Sequence, residues 1–468
     1  MPGPQRSATA RLIPALPPAR LPGAANRREV GKLLRLGGPI AAISLLNMGM
    51  STTDMVMMGW LGSLELAAGA VIGDFYSLLF YFAAGVLAAV APMIAQDRGA
   101  DERAPTGAIV VAGLIAAVGL GAVGSAIMWL SGDVMAAIGV DGRLLEAGRP
   151  YAQAMSATFV AMMFVALWRN VFSAHDKPTV FMWFTLAALP LNGLGNYLLM
   201  YGAFGIPALG VAGVGLSSFA VALLLMAGLS LYAAWSGPIL RGWRDLAAVP
   251  GRLRELFRVG LPIGVTSIGE VGVFLSTTVV IGVFSAEAVA AHAIVLRIAG
   301  FIYAPIVALA QAATIRTAFA VGTGETRRRL CVEVTATVAA WLLGIIFLVV
   351  CMLFAADLPW LFLSASDPAA VSVATTAAAL FMILAVLEFT EVPGATALGI
   401  LRGHKDTHVP MLLTVASFWG AGFLPGLVLA FAAGLGAYGM WIGLTMGTAC
   451  STLCELWRHG SLRRRLAV

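Results

Sequence analysis

The chain has 468 residues, of which 60% are hydrophobic and 11% charged, with a formal net charge of +6 and a mean hydropathy of +0.91. A water-soluble chain carries about 25% charged residues, so this composition excludes a soluble enzyme or a string of soluble binding domains. Apolar stretches of about twenty residues, each long enough as a helix to cross a bilayer, recur along nearly the whole chain. The short alternating segments of a membrane β-barrel are not its pattern.

Residues 1–34 come first, rich in Pro and Arg, with no acid before Glu29 and no apolar core of the kind a secretory signal needs. Six prolines among the first 22 residues also oppose the amphipathic helix of a transit peptide. The expectation is a disordered cytoplasmic tail. Predicted spans then cover 36–60, 66–95, 107–131, 147–170, 179–202 and 208–234 in the first half. In the second half they cover 257–283, 288–315, 331–356, 370–400, 410–433 and 437–457. The organisation expected is an amino-terminal six-helix lobe at 35–234, a basic linker at 235–256, a second six-helix lobe at 257–457 and a basic tail at 458–468.

Nearly all of the 29 Lys and Arg residues fall in the tails and even-numbered loops, among them Arg98, Arg103, Lys177, Arg252, Arg327–Arg329 and Arg463–Arg465. Arg143 and Arg149 lie on the other side, and Arg297 lies inside a span. This asymmetry predicts both termini in the cytoplasm of a bacterial-type inner (plasma) membrane. It also makes the basic patches topology signals, with nucleic acid not expected as a partner. Cys331, Cys351, Cys450 and Cys454 lack zinc or redox spacing, and the five histidines are scattered, so no metal site and no bound cofactor is expected.

The halves resemble each other. A shift of 223 residues aligns Gly37 with Gly260, Pro39 with Pro262, Gly49 with Gly272, Gly59 with Gly282, and Ala67 and Ala68 with Ala290 and Ala291. At a slightly different offset Leu209, Gly210 and Gly213 match Leu435, Gly436 and Gly439. Six spans per copy is an even number, so both copies enter from one side as parallel repeats, with a cleft between the lobes.

Hydrocarbon rejects charge, so embedded ionisable residues mark function or a structural pair. Asp54, Asp74, Glu270, Glu388, Glu391 and Arg297 fall in spans. Asp54 has Asn47 on its face and Ser51, Thr52 and Thr53 around it, while Asn192 and Asn196 share a face of the fifth span and Ser217 and Ser218 lie in the sixth. A carboxylate with neutral oxygen ligands holds a proton or a hard cation such as sodium; the alternative is a polar network that joins helices. Glu270 lies midway along the seventh span. Glu388 and Glu391 share a face of the tenth at i, i+3, ahead of Pro393 and Gly394, where a broken helix would free carbonyls. Arg297 is either a static partner for one of these acids or an internal cation. Asp74 is read as facing the external vestibule. The run Met48, Met50, Met55, Met57 and Met58 suits a drug pocket or ordinary packing.

Together these segments resemble the multidrug and toxic compound extrusion (MATE) family, in its NorM-like branch. The resemblance covers residues 30–458 and rests on an ordered set. It runs from Pro39 and Met50–Gly59 through Ala91, Pro92 and Gln96–Gly99 to Asn192–Asn196 and Pro207–Gly213. It continues with Glu270, Ala290–His292, and Leu401, Arg402 and Gly403 followed by Asp406 and Pro410. It implies an all-α polytopic membrane protein of twelve transmembrane helices. It further implies a monomeric antiporter, not an enzyme, that exports cationic or amphipathic small molecules against H+ or Na+ by alternating access. The residues matched to coupling roles are Asp54, Asn192, Asn196 and Ser218 in the first lobe and Glu270 and Glu391 in the second, with Pro39 as the hinge of the first span. Three departures stand out: the tenth-span acid, often Asp in the family, is Glu391, the family's aromatic residue one turn earlier is Leu387, and Arg297 occupies a usually neutral position. The alternatives are a flippase of lipid-linked precursors, which calls for a more basic cleft, and an intramembrane lipid-modifying enzyme, which calls for clustered catalytic groups near an interface.

Overall fold

The computed structural model describes residues 23–202, 205, 207–364 and 369–466. The disorder expected of the tail falls largely on residues 1–22, outside the described residues. The helices in order are α1 (Gly23–Leu61), α2 (Ser63–Leu87), α3 (Val90–Ala100), α4 (Gly107–Trp129), α5 (Ser131–Ala137), α6 (Gly142–Ala174), α7 (Pro178–Tyr201) and α8 (Val211–Trp235). After the linker come α9 (Val249–Ile281), α10 (Ala286–Gly322), α11 (Thr326–Phe354), α12 (Ala370–Gly403), α13 (His408–Ala416), α14 (Leu424–Leu427) and α15 (Gly436–Leu466). Joined end to end where they continue one another, these make the twelve membrane-crossing rods of a two-lobed bundle. Ten rods are long and apolar enough to cross a membrane on length and composition. The other two, α7 and α15, are diluted by Asn192, Asn196, Gly193 and Gly195 in the one and by a polar, basic last third in the other.

Helix α9 begins at Val249, inside the expected linker, and α15 runs on to Leu466, inside the expected tail; three further elements differ from the expected spans in ways that packing explains. Helix α1 starts at Gly23, well before residue 36, because Leu33, Leu36, Ile40 and Ile43 continue one buried face. At its start Glu29 forms a buried ion pair with Arg316 of α10, at 2.7 Å. Helix α12 does not break at Pro393 but runs unbroken from Ala370 to Gly403. Neighbouring helices brace this stretch: Thr452 Oγ1 donates to the Thr390 carbonyl at 2.7 Å, and Gly344 lets α11 approach the Phe389 backbone. The eleventh rod does distort, with π-helical turns at Ser417–Phe423 and Val428–Ala432 on either side of α14. Gly422 and Gly426 of that rod face Gly447 and Gly443 of α15, and a side chain on Gly443 would collide with the Gly426 backbone. With Gly439 these form a small-residue seam at i, i+4 spacing, where backbones touch.

The duplication is visible in backbone detail. Gly210 and Gly436 both have positive φ, 55° and 54°, at the turn into the last long helix of each half. Cβ atoms on Gly213 and Gly439 would each strike the backbone of the preceding rod, at Leu199 and at Leu429–Ala430. His175 and His404 both follow a helix end and precede a non-glycine residue in the left-handed region, Asp176 (58°) and Lys405 (60°).

The core is divided unequally. Toward the end of the bundle that carries both chain ends, one cluster joins Leu33, Ile40, Val86, Val90 and Ile94 to Leu256, Ala308, Ala312 and Ile400 of the second half. Toward the other end each half keeps a core of its own. One is built from Met57, Met58, Met128, Met155 and Met200, the other from Val273, Ile281, Val295, Phe381 and Trp441. Met57 and Met58 are thus packing residues. At the shared end the approach is backbone to backbone: a Cβ on Gly260 would strike Val86 O, and one on Gly322 would strike Gln96 O. Gln96 Nε2 donates to Gly403 O at 3.0 Å, and Arg252 pairs with Asp97.

Candidate functional site

The first centre lies among α1, α7 and α8. The i, i+4 pair Asn192 and Asn196 points from α7 toward Asp54 of α1, and Gly195, on which any side chain would overlap Ser217, lets α8 come close. Asn196 Nδ2 donates to Asp54 Oδ1 at 2.6 Å and Ser218 Oγ donates to Asp54 Oδ2 at 3.3 Å. Asn192 Nδ2 reaches Ser218 Oγ at 3.5 Å, and Ser217 Oγ donates to Asn192 O at 3.0 Å. Both carboxylate oxygens are therefore held by neutral donors. The side-chain oxygens of Asn192 and Asn196 are buried and find no hydrogen-bond partner. A buried, unpartnered acceptor is costly, and here two lie beside a carboxylate. Four of the expected residues, Asp54, Asn192, Asn196 and Ser218, are brought together. Thr53 is not part of the set, since its hydroxyl donates to Gly49 O of its own helix. Asp74 is exposed. The buried Tyr151, within electrostatic reach of Asp54 and of the partly buried Tyr76, adds to the surroundings.

The second centre lies among α9, α12 and α15. Glu270 is within electrostatic reach of Glu391, and Glu391 of Glu388. Glu388 is set apart: it is buried toward Cys351 of α11, with Oε2 unpartnered. Arg297 is exposed and makes no ion pair among the described residues. The basic group near Glu270 is instead Arg402 of α12. The acid Glu455 of α15 also lies within reach of Glu270. Sequence reasoning passed over both. Arg402 stood just beyond the tenth span, and Glu455, though inside the twelfth, stood close to the basic run at Arg458–Arg465. Between the halves Tyr81 of α2 and Tyr303 of α10 are 49% and 43% exposed, and Tyr303 lies within reach of Glu270, Glu391 and Tyr81. Pro39 sits inside α1, which stays helical through it. Among the described residues no group of three or more His, Cys, Asp or Glu is placed to hold a metal ion.

Comparison with known proteins agrees with this architecture. The chain is 31% identical over 446 residues to a probable multidrug resistance protein NorM of Rhizobium meliloti (strain 1021), covering 93% of this chain and 94% of that one. It is 32% identical over 455 residues to a protein of the same description from Pseudomonas aeruginosa, covering 93% and 90%. Among solved structures, a eukaryotic MATE transporter superposes with a TM-score of 0.84 at 19% identity, covering 94% of this chain and all of the other. An outward-facing multidrug resistance MATE family transporter superposes with the same score at 18% identity, covering 95% and 99%. The MatE family profile matches residues 39–198 and 262–428, one stretch in each half. This chain therefore belongs to the MatE family, that of the MATE/NorM multidrug efflux transporters.

Proposed function

We propose that the protein is a secondary antiporter that exports cationic or amphipathic small molecules while H+ or Na+ enters, with no bound cofactor, as a monomer in a bacterial-type inner membrane. The observation that carries this is the first centre. A carboxylate held only by neutral donors, beside two buried amide oxygens with no partner, suits a proton or a hard cation in transit. Glu270 and Glu391 form the second coupling group, with Glu388 behind them. Arg297, exposed and without an ion pair among the described residues, is left as a cation that is not their static partner. Cationic substrates suit a cleft in which Glu270 and Glu391 lie within reach of the aromatic Tyr303.

The two lobes, 35–234 and 257–457, rock about the shared core near the chain ends, with α1 flexing at Pro39. Basic residues concentrated at that end support its cytoplasmic location, and the closed packing there corresponds to an outward-facing state. Ion binding shifts the equilibrium only by binding the two states unequally. The test is ethidium efflux from cells with a proton or a sodium gradient imposed separately. Gradient-driven efflux lost in Asp54→Asn supports the reading; efflux that ignores both gradients, or that survives Asp54→Asn unchanged, overturns it.

A further inference from the structure

Glu455 of α15 is 2% exposed and lies at a seam of helices. Its Oε1 accepts from Thr414 Oγ1 of α13 at 2.9 Å and from Ser451 Oγ of its own helix at 3.0 Å. Thr452, the residue after Ser451, ties α15 to α12 through the Thr390 carbonyl. Opposite stands Gly394 of α12, where a Cβ would lie 3.1 Å from Glu455 Oε2. The absence of a side chain at 394 is what makes room for the carboxyl. No Lys, Arg or His nitrogen lies within 4.0 Å of it among the described residues, so no ion pair commits the group to its ionised form.

The ionisable groups facing Glu455 are Glu270 from α9, Arg402 from α12 and Cys454 from its own helix; α13 offers only the Thr414 hydroxyl. Glu270 in turn faces Glu391. Gly394 is three residues beyond Glu391 along α12, a rise of ~4.5 Å toward the end of the bundle where the halves are packed shut. Glu455 thus stands behind the pair Glu270 and Glu391, on the side where a carried proton must leave.

We propose that Glu455 is a proton station: it receives a proton from Glu270 or Glu391 and releases it toward the end of the bundle that carries the chain ends. This rests on the antiport reading. In each cycle the O–H bond of the donor carboxyl breaks, leaving a carboxylate. The proton forms an O–H bond on Glu455, and the same proton then passes to bulk water, returning Glu455 to carboxylate with no redox change.

The test uses the full chain in liposomes, with ethidium as substrate and proton or sodium gradients imposed across about pH 5.5 to 8.5. Glu455→Gln is expected to bind ethidium within about threefold of the parent but to lose about tenfold or more of proton-driven transport. Glu455→Asp should recover most of that rate. Thr414→Val with Ser451→Ala should shift the pH midpoint of transport while leaving the carboxyl in place, a change that a merely structural Glu455 would not produce. Parental rates and pH midpoints in all three overturn the station. So does loss of ethidium binding in both the Gln and Asp variants, or a parent driven by sodium alone. A parent indifferent to both gradients is a different failure, because there the antiport reading falls first.

Discussion

Replacing Gly322 by alanine sets two physical effects against each other. In an isolated helix the change stabilises, by up to about 1 kcal/mol. At this site the new methyl meets backbone: Gln96 O, Gln96 C at 2.9 Å and Gly99 Cα at 3.0 Å. A backbone neighbour cannot rotate away as a side-chain tip can, so α3 and α10 must separate, and overpacking of this kind costs about 1–3 kcal/mol. That cost applies only where the two halves are packed at the shared end; once they part there, it disappears. The ratio of the closed to the parted arrangement should therefore fall about fivefold to 150-fold. Spin labels on cysteines replacing Asp101 and Glu325, both exposed and flanking the contact from opposite halves, would report it as a longer-distance population in a double electron–electron resonance measurement. The native cysteines would be replaced beforehand. An unchanged distance distribution together with raised thermal stability would refute the reasoning, because helix propensity would then have outweighed the interface.

Three further outcomes are expected. Arg316→Met leaves Glu29 buried with only Lys32, whose side chain is 47% exposed, as a charged partner, and should lower unfolding free energy by about 3 kcal/mol. Adding Glu29→Gln should restore much of the loss, and thermal melts in detergent would read both. Gly443→Ala should cost about 1–3 kcal/mol by prising α15 off the eleventh rod, visible as a lowered melting temperature; an unchanged one would mean the seam is loose. Burial pushes His175, in the turn after α6, down to about 4. The unfolded chain, near its ordinary value, then takes up a proton first as pH falls. Stability is accordingly full above about pH 6.5 and declines as pH drops from there toward about 4. His175→Gln should flatten that decline in pH-dependent melts, and a parallel decline would refute the assignment.

The same chemistry separates what sequence reading reached from what it missed at the site. Asp54, Asn192, Asn196 and Ser218 were legible because an acid deep in an apolar run is conspicuous, and i, i+4 spacing states which amides share a face. Glu455 and Arg402 were not, although each is as buried or as close to Glu270 as the residues that were. Both stand near span ends, where charge is ordinary, and only the packing of α12 and α15 sets them against Glu270. The expected break at Pro393 failed for a related reason. A proline deletes a donor within its own helix, but whether the helix opens depends on how its neighbours hold it, here the Thr452 bond to the Thr390 carbonyl and the close approach at Gly344.

Hydropathy, the spacing of apolar runs and the placement of Lys and Arg depend only on how each segment partitions between water and lipid. The sequence by itself therefore determined a helical membrane protein, its two similar halves and four of its embedded acids, Asp54, Glu270, Glu388 and Glu391. Which faces of those rods meet depends on contacts between segments hundreds of residues apart, such as Gly322 on Gln96 or Glu29 with Arg316. Only the tertiary structure decided that the halves are closed at the end where α1 begins and α15 finishes, that Arg297 pairs with none of the acids, and that Glu455 stands among them.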